Sequence, residues 1–528
     1  MPQRRTTPTR RELLTGLLAG CGVTALLAAC GSGGSIGGTT SSASTASRSA
    51  TAAAASNTAT TSAASSAATT PSASASASAS APAVPTPSSK STVKAGIPVV
   101  NYLCVFASGK EFDSYVTVFN QFNQEHDKLQ VQVLPSTGSF TTTRQKILVA
   151  HAGGTTAGDF YENGWGPFTD MADEGVITDL SPLIQTAKFD LGAFIPNVIQ
   201  AWQYQGKQWA IPPFVAADAL GYNLDLFDAA GIKYPPVDPT DTAWTMQSFL
   251  DIAQKLTKTG TQWGYGGGNS GAPTSFNAFG CTDGTFFGQQ PWDDNQQKCL
   301  MDTNEFRQAM QFFYDLGASK YHVIPTSDES KGFPKGLDTS LETGVIGMQP
   351  IVGLINRAKV KNRLALATSP YSGPAPNQSG RFFADGLHID NSSKVKGETL
   401  SVIQWLMTPD PNAAYALGLG QPVSSLKAGN PKMAEVYQNE TGVDPKAFTL
   451  QAQYSHNSGN GMLKYGNYGK VATLVNPIFA DFNAGKIDVN NYTTQATQLI
   501  NQNLTQKTAG IELKLAANLN GQRRAPWV

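Results

Sequence analysis

The chain has 528 residues, with 38 basic and 38 acidic side chains, and is neutral as written. Removing residues 1–29 takes away four arginines and one glutamate, which leaves 34 basic against 37 acidic residues and a net charge of about −3; that balance excludes the basic excess expected of a nucleic-acid or anionic-membrane surface. Beyond residue 29 no stretch reaches the roughly 18 apolar residues that a membrane helix needs.

Residues 1–29 combine Arg4, Arg5, Arg10 and Arg11, an apolar stretch broken only by small residues, and Leu27-Ala28-Ala29 ahead of Cys30. This is the layout of an export signal, not of a domain. The cysteine makes it resemble a bacterial lipoprotein signal, which implies a lipidated Cys30 as the first mature residue. Thr9-Arg10-Arg11-Glu12-Leu13-Leu14 resembles a twin-arginine signal, which implies export already folded. General secretory export, and a plain secretory peptide with a chance cysteine, stay open as alternatives, since Cys21 lies close by. The expected location is the outer face of the cytoplasmic membrane or the cell envelope, with the lipid as the sole membrane contact; two or more acyl chains anchor stably where one does not.

Residues 31 to about 92 contain almost only Ser, Ala, Thr, Gly and Pro, and Arg48 is the sole charge before Lys90. Such a tract cannot bury enough apolar surface to offset its ordering entropy, so a disordered tether is expected over 30–95. As a flexible coil, about 60 residues span roughly 40 to 45 Å. Its Ser, Thr and Pro content also suits O-linked sugars.

From about residue 96 the composition is globular to the end, and its size points to two lobes. Pro98 to Phe106 is an apolar run of strand length. Phe112, Tyr115, Val116, Phe119 and Phe122 recur at helical spacing, and Leu129, Val131 and Val133 alternate as a strand does. This β-α-β order predicts a parallel pair with a right-handed crossover. A helix near 143–152, a strand at 159–161, strand-like 209–211 and 220–222, helices at 247–257 and 303–316, a strand at 344–348 and a helix at 397–407 follow. The alternation indicates an α/β architecture with ligand sites outside the carboxyl ends of strands. Cys281 and Cys299 flank a turn-rich region and are the candidate disulfide pair, with Cys104 left as a buried free thiol.

Several segments then carry a resemblance: Gly206-Lys207-Gln208-Trp209-Ala210-Ile211-Pro212, Leu220-Gly221-Tyr222-Asn223, Asp225-Leu226-Phe227, Ala230-Gly231-Ile232, Pro235-Pro236, Asp302-Thr303-Asn304-Glu305, Gly344-Val345-Ile346-Gly347-Met348, Ile403-Gln404-Trp405-Leu406-Met407-Thr408 and Gly420-Gln421-Pro422-Val423. In this order they resemble the family 1 extracellular solute-binding proteins, the sugar-binding components of ABC importers. The resemblance implies a periplasmic-binding-protein-like fold with discontinuous lobes, the first over about 96–214 and 387–430 and the second over about 215–386 and 431–528, and a ligand cleft between them. It implies a carbohydrate as ligand, permease subunits as partners, a monomer, and no catalysis, cofactor or metal. One departure is Ser248, three residues after Thr245, where the family often has a glutamate that closes a capping box; only Thr245 is expected to cap that helix.

Enzyme readings are weaker. Ser91-Thr92-Val93-Lys94, Lys258-Thr259-Gly260 and Ser275-Phe276-Asn277 match the pieces of penicillin-recognising enzymes, but in the wrong order and with the serine in the low-complexity tract. His126, His151, His322, His388 and His456 stand alone. A glycan hydrolase needs only two carboxylates and remains the rival; Asp293-Asp294 reads better as a solvated loop. Binding asks for aromatic faces, amides, hydroxyls and carboxylates in a cleft. By resemblance, Asn163 and Trp165 belong to the first lobe's contacts, with core packing as the other reading of Trp165. Phe214 and Asp218 fall where the chain first crosses between lobes, and Asp385 where it returns; each also suits a hinge. Phe276, Asn277, Gln349, Tyr465 and Tyr468 are the second-lobe candidates, and Ser108 sits in the loop after the first strand. Core packing competes for Phe276 and a solvated loop for the tyrosines. Ferric-binding relatives use tyrosine ligands, so Tyr465 and Tyr468 also keep an iron ligand open.

Overall fold

The computed structural model describes residues 88–163, 168–266, 298–326, 328–333, 337–351, 363–370, 381–454, 456–457 and 468–503. In chain order the strands are β1 (Val99–Leu103), β2 (Gln130–Leu134), β3 (Phe160–Asn163), β4 (Gln203–Tyr204), β5 (Lys207–Gln208), β6 (Phe214–Ala217), β7 (Ala219–Asn223), β8 (Trp263–Tyr265), β9 (Ile346–Ile351), β10 (Leu364–Ala367), β11 (Arg381–Phe383), β12 (Gly386–Ile389), β13 (Val423–Ser424) and β14 (His456–Asn457).

The first sheet has the order β12-β3-β1-β2. β1 runs parallel to β2 and β3, as the β-α-β pattern requires, and β12 is antiparallel to β3. The crossover helix Lys110–Glu125 lays Phe112, Tyr115, Val116, Phe119 and Phe122 on the sheet, where all five are buried. These positions repeat with the helical period and form one apolar stripe. At the edge strand β2, the N–H groups of Val131 and Val133 donate to Asn123 Oδ1 at 2.7 Å and Ser91 Oγ at 2.8 Å. Side-chain oxygens therefore occupy an edge that would otherwise offer open donors.

The second sheet has the order β10-β7-β9-β8, with the helix Met246–Leu256 packed against β8. The approach is so close that a Cβ on Gly264 would meet the Ala253 carbonyl oxygen at 1.8 Å, so only glycine fits there. The helix start corrects the sequence reading. Ser248 Oγ accepts from Thr245 N at 2.8 Å while Thr245 Oγ1 accepts from Ser248 N at 3.2 Å, a complete capping box in which the shorter serine replaces glutamate.

A third sheet, β13-β6-β11-β14, is built from the crossing segments themselves. The chain leaves β6 for β7 of the second sheet through Asp218, and leaves β11 for β12 of the first sheet through Ala384 and Asp385. A core cluster joins first-sheet neighbours Tyr161 and Trp202 with Leu341, Ile351 and Leu366 of the second-sheet region and Phe448 of the helix Lys446–Tyr454. The strand expected at 209–211 falls instead on the hairpin β4-β5, turned by Gln205 and Gly206 at positive φ, and Ile211 makes only an isolated bridge to Leu387.

Two further expectations change. Residues 88–94, assigned to the tether, are docked on the first sheet and its crossover helix. Cys299, expected to bond Cys281, is a free thiol in the core beside the second sheet, with Tyr222, Tyr265 and Met348, 3.8 Å from Thr497 Oγ1, and burial pushes its pKa up to about 12; Cys281 lies outside the described residues. Cys104 is free and fully buried, as expected, one residue past β1. Among the described residues no helix is long and apolar enough to cross a membrane.

Candidate ligand-binding site

The carboxyl end of the first sheet brings several predicted residues together. β1 leads into a loop in which Ser108 is exposed. β3 ends at Asn163, whose partner in the ladder is Gly386, so the β3-β12 pairing sets Asn163 beside Asp385. Asp385 is half-buried; the side chain of Asn163, and Trp165, lie outside what is described. Phe214, at the start of β6, is 2 % exposed and packs with Ile211 and Leu387 in the core that holds Tyr102 and Phe119 of the first sheet and its crossover helix. It packs the crossing from inside.

Beneath Asp385 sits a polar node that the sequence reading missed. Glu162 Oε2, in a residue 4 % exposed, accepts hydrogen bonds from Tyr115 at 2.6 Å, Tyr415 at 2.9 Å and Tyr102 at 3.2 Å. The hydroxyls of Tyr102 and Tyr415 also lie 3.0 Å apart. Burial first, and then the Glu162 charge, hold all three hydroxyls well above the ordinary phenol pKa, so they remain donors. Burial, and next the same charge, push the Asp385 carboxyl well above its ordinary range, which favours an acid proton shared with Glu162. A carboxylate taken out of water needs such donors. The available signal was a lone Glu among Phe160, Tyr161 and Asn163 in a buried strand.

The second sheet contributes Gln349. It is 0 % exposed, and among the described residues neither its amide nitrogen nor its oxygen has a hydrogen-bond partner. It stands opposite Gly221 in the β7-β9 ladder, and a Cβ on Gly266, just past β8, would come within 3.4 Å of its Oε1. Asp218, 3 % exposed, opens the crossing into β7. β6 and β11 are antiparallel, which sets Asp218 and Asp385 at opposite ends of that pair, so the two predicted hinge acids do not form one cluster. Tyr468 is the first residue of the helix Tyr468–Asn483, its side chain undescribed; Phe276, Asn277 and Tyr465 lie outside the described residues. Among the described residues no group of three or more His, Cys, Asp or Glu is placed to hold a metal ion.

Residues 117–441, more than half of the chain, match the family model described as bacterial extracellular solute-binding protein. The solved structures that the fold resembles include the ABC substrate-binding protein Lmo0181 of Listeria monocytogenes in complex with cycloalternan, at 20% identity and a TM-score of 0.59 over 78% of this chain and 99% of that one. The sugar-binding protein MalE of Xanthomonas citri matches at 16% identity and a TM-score of 0.62 over 78% and 99%. UgpB of Mycobacterium tuberculosis in complex with glycerophosphocholine matches at 14% and 0.61 over 78% and 100%. These likenesses establish the two-lobed periplasmic-binding-protein fold, and with the family match they identify the chain as a member of the bacterial extracellular solute-binding protein family.

Proposed function

We propose that the chain is a lipid-anchored capture protein that binds a carbohydrate between two lobes and hands it to an ABC permease, without chemistry of its own. The observation that carries the reading is Gln349. A fully buried amide with no partner costs roughly 1–3 kcal/mol, and this cost is recovered when a polar guest supplies a donor and an acceptor. A neutral polyol offers both from one hydroxyl. The fold's relatives with cycloalternan, maltose and mannotriose bound support that class of guest.

The test is titration calorimetry against mono- and oligosaccharides with the native protein and Gln349→Met, which keeps the volume and removes both polar atoms. Binding weakened about 5- to 150-fold, with folding stability unchanged or raised, is expected. Lost stability with unchanged affinity would reassign Gln349 to structure. Sugar turnover that vanishes on replacing a carboxylate would make the protein a hydrolase. The UgpB likeness gives a second reading, a zwitterionic phosphodiester ligand, and glycerophosphocholine belongs in the same titration.

A further inference from the structure

The docked segment before the first strand has a direction. Ser88 Oγ accepts from Gly109 N at 2.9 Å and donates to Asp113 Oδ1 at 2.7 Å. Gly109 is the N-cap of the crossover helix and has no side chain to cap with, so Ser88 supplies a capping hydroxyl from elsewhere in the chain. Ser91 then takes the Val133 N–H near the carboxyl end of β2. Thr92 N donates to Asn120 Oδ1 at 2.7 Å, and its carbonyl accepts from Asn123 Nδ2 at 3.0 Å. Lys94 reaches Asp127 at 2.5 Å, while its backbone N–H donates to Gln130 Oε1 at 3.4 Å at the amino end of β2.

The strap therefore descends the whole sheet, from the carboxyl-end loops to the base where β1 begins. Without it, a chain entering β1 would arrive at the base. With it, the chain enters the domain at the rim that carries Ser108 and Gly109. A helix of 16 residues is about 24 Å long, and six extended residue steps reach about 20 Å, so the strap moves the entry point by roughly 20 Å. That shift is about half the 40 Å reach estimated for the tract before it, which makes it large enough to bias orientation.

We propose that the strap Ser88–Lys94 turns the ligand-bearing rim of the first sheet toward the membrane that holds the tether, and so presents that rim to a membrane-embedded partner. The inference rests on the reading of Cys30 as a lipid anchor, but the route of the strap does not.

Two measurements separate them. Spin labels on the soluble protein at Lys90→Cys paired with Lys110→Cys at the rim, or with Lys128→Cys at the base, read the route; the 90–110 distance should be the shorter and narrow. A shorter 90–128 distance, or broad distributions for both pairs, refutes the strap. For orientation, the full lipidated chain is placed on vesicles containing an acceptor lipid, with a donor dye at Lys110→Cys or Lys128→Cys. Energy transfer from the rim should exceed that from the base at least twofold, and Ser91→Ala/Thr92→Pro/Lys94→Ala should abolish the difference. Equal transfer with the strap intact, or a difference that survives its removal, overturns the proposal. A chain that does not partition onto vesicles sinks the anchor reading and the orientation with it, and leaves the route standing on the spin-label result.

Discussion

His388 predicts a specific acid sensitivity. It is fully buried among Tyr161, Phe168 and Trp202, and because a carbonyl only accepts, the 2.8 Å contact to the Trp209 oxygen places the proton on Nδ1. Nε2 has no partner. Burial above all, opposed in part by the Trp209 carbonyl and helped by the Arg144 charge, lowers the imidazole pKa to about 3. The folded state thus keeps the ring neutral while an unfolded chain protonates near 6.5, so stability present above that pH is lost as pH falls toward 3. With a folded pKa of about 3 the loss is roughly 2 kcal/mol by pH 5 and about 4 kcal/mol by pH 3. Urea unfolding of the native protein and His388→Gln, at pH 7 and pH 5, isolates this proton. The variant starts less stable but should lose about 2 kcal/mol less on acidification. Equal losses in both proteins would refute a neutral, buried His388.

Asp385 should slope the other way: its raised carboxyl holds a proton that the unfolded chain releases above about pH 4, so stability falls as pH rises. Asp385→Asn, whose amide still donates toward Glu162, should be more stable than the native protein at pH 7 and lack that slope in a pH series of unfolding curves. Ser248→Ala should cost about 0.5–1 kcal/mol and Ser248→Glu should recover it, measured by thermal or urea unfolding; equal stability of all three would show the box to be energetically idle. Cys30→Ser should move the protein from the membrane fraction to the soluble fraction and leave ligand affinity in calorimetry unchanged; altered affinity would show that anchor and site are coupled.

Elements with strong local signals were legible. The stripe from Phe112 to Phe122 and the alternation at Leu129, Val131 and Val133 fold as their periods imply, because each buries one face on one neighbour. The third sheet was not legible. β13 and β14 have two residues each and β11 has three, too short for any period; β13 and β11 pair with the two edges of β6, and β14 pairs in turn with β11. The strap was hidden for a related reason. A Ser/Thr tract reads as unfolded when judged by what it buries, and Ser88, Ser91 and Thr92 dock by completing hydrogen bonds of a helix start and a sheet edge instead.

The same accounting divides the candidate site. Glu162 and Gln349 are both buried polar residues, but one has its capacity met and the other does not. The Glu162 carboxylate is surrounded by Tyr102, Tyr115, Tyr415 and Asp385, drawn from β1, the crossover helix, the helix Pro409–Gly418 and the β11-β12 crossing. Its donors are already in place, so it fixes the geometry of the first-sheet rim, and removing one partner should cost stability before affinity. Gln349 has both polar atoms unmet in a site 0 % exposed, so its hydrogen bonds are made only when a guest or a water arrives. On the proposed reading, Gln349 would give the second sheet its share of recognition, while Glu162 holds the rim of the first sheet rigid. A ligand that gains from both must draw the two together, and that difference in affinity is what would favour a closed form over an open one.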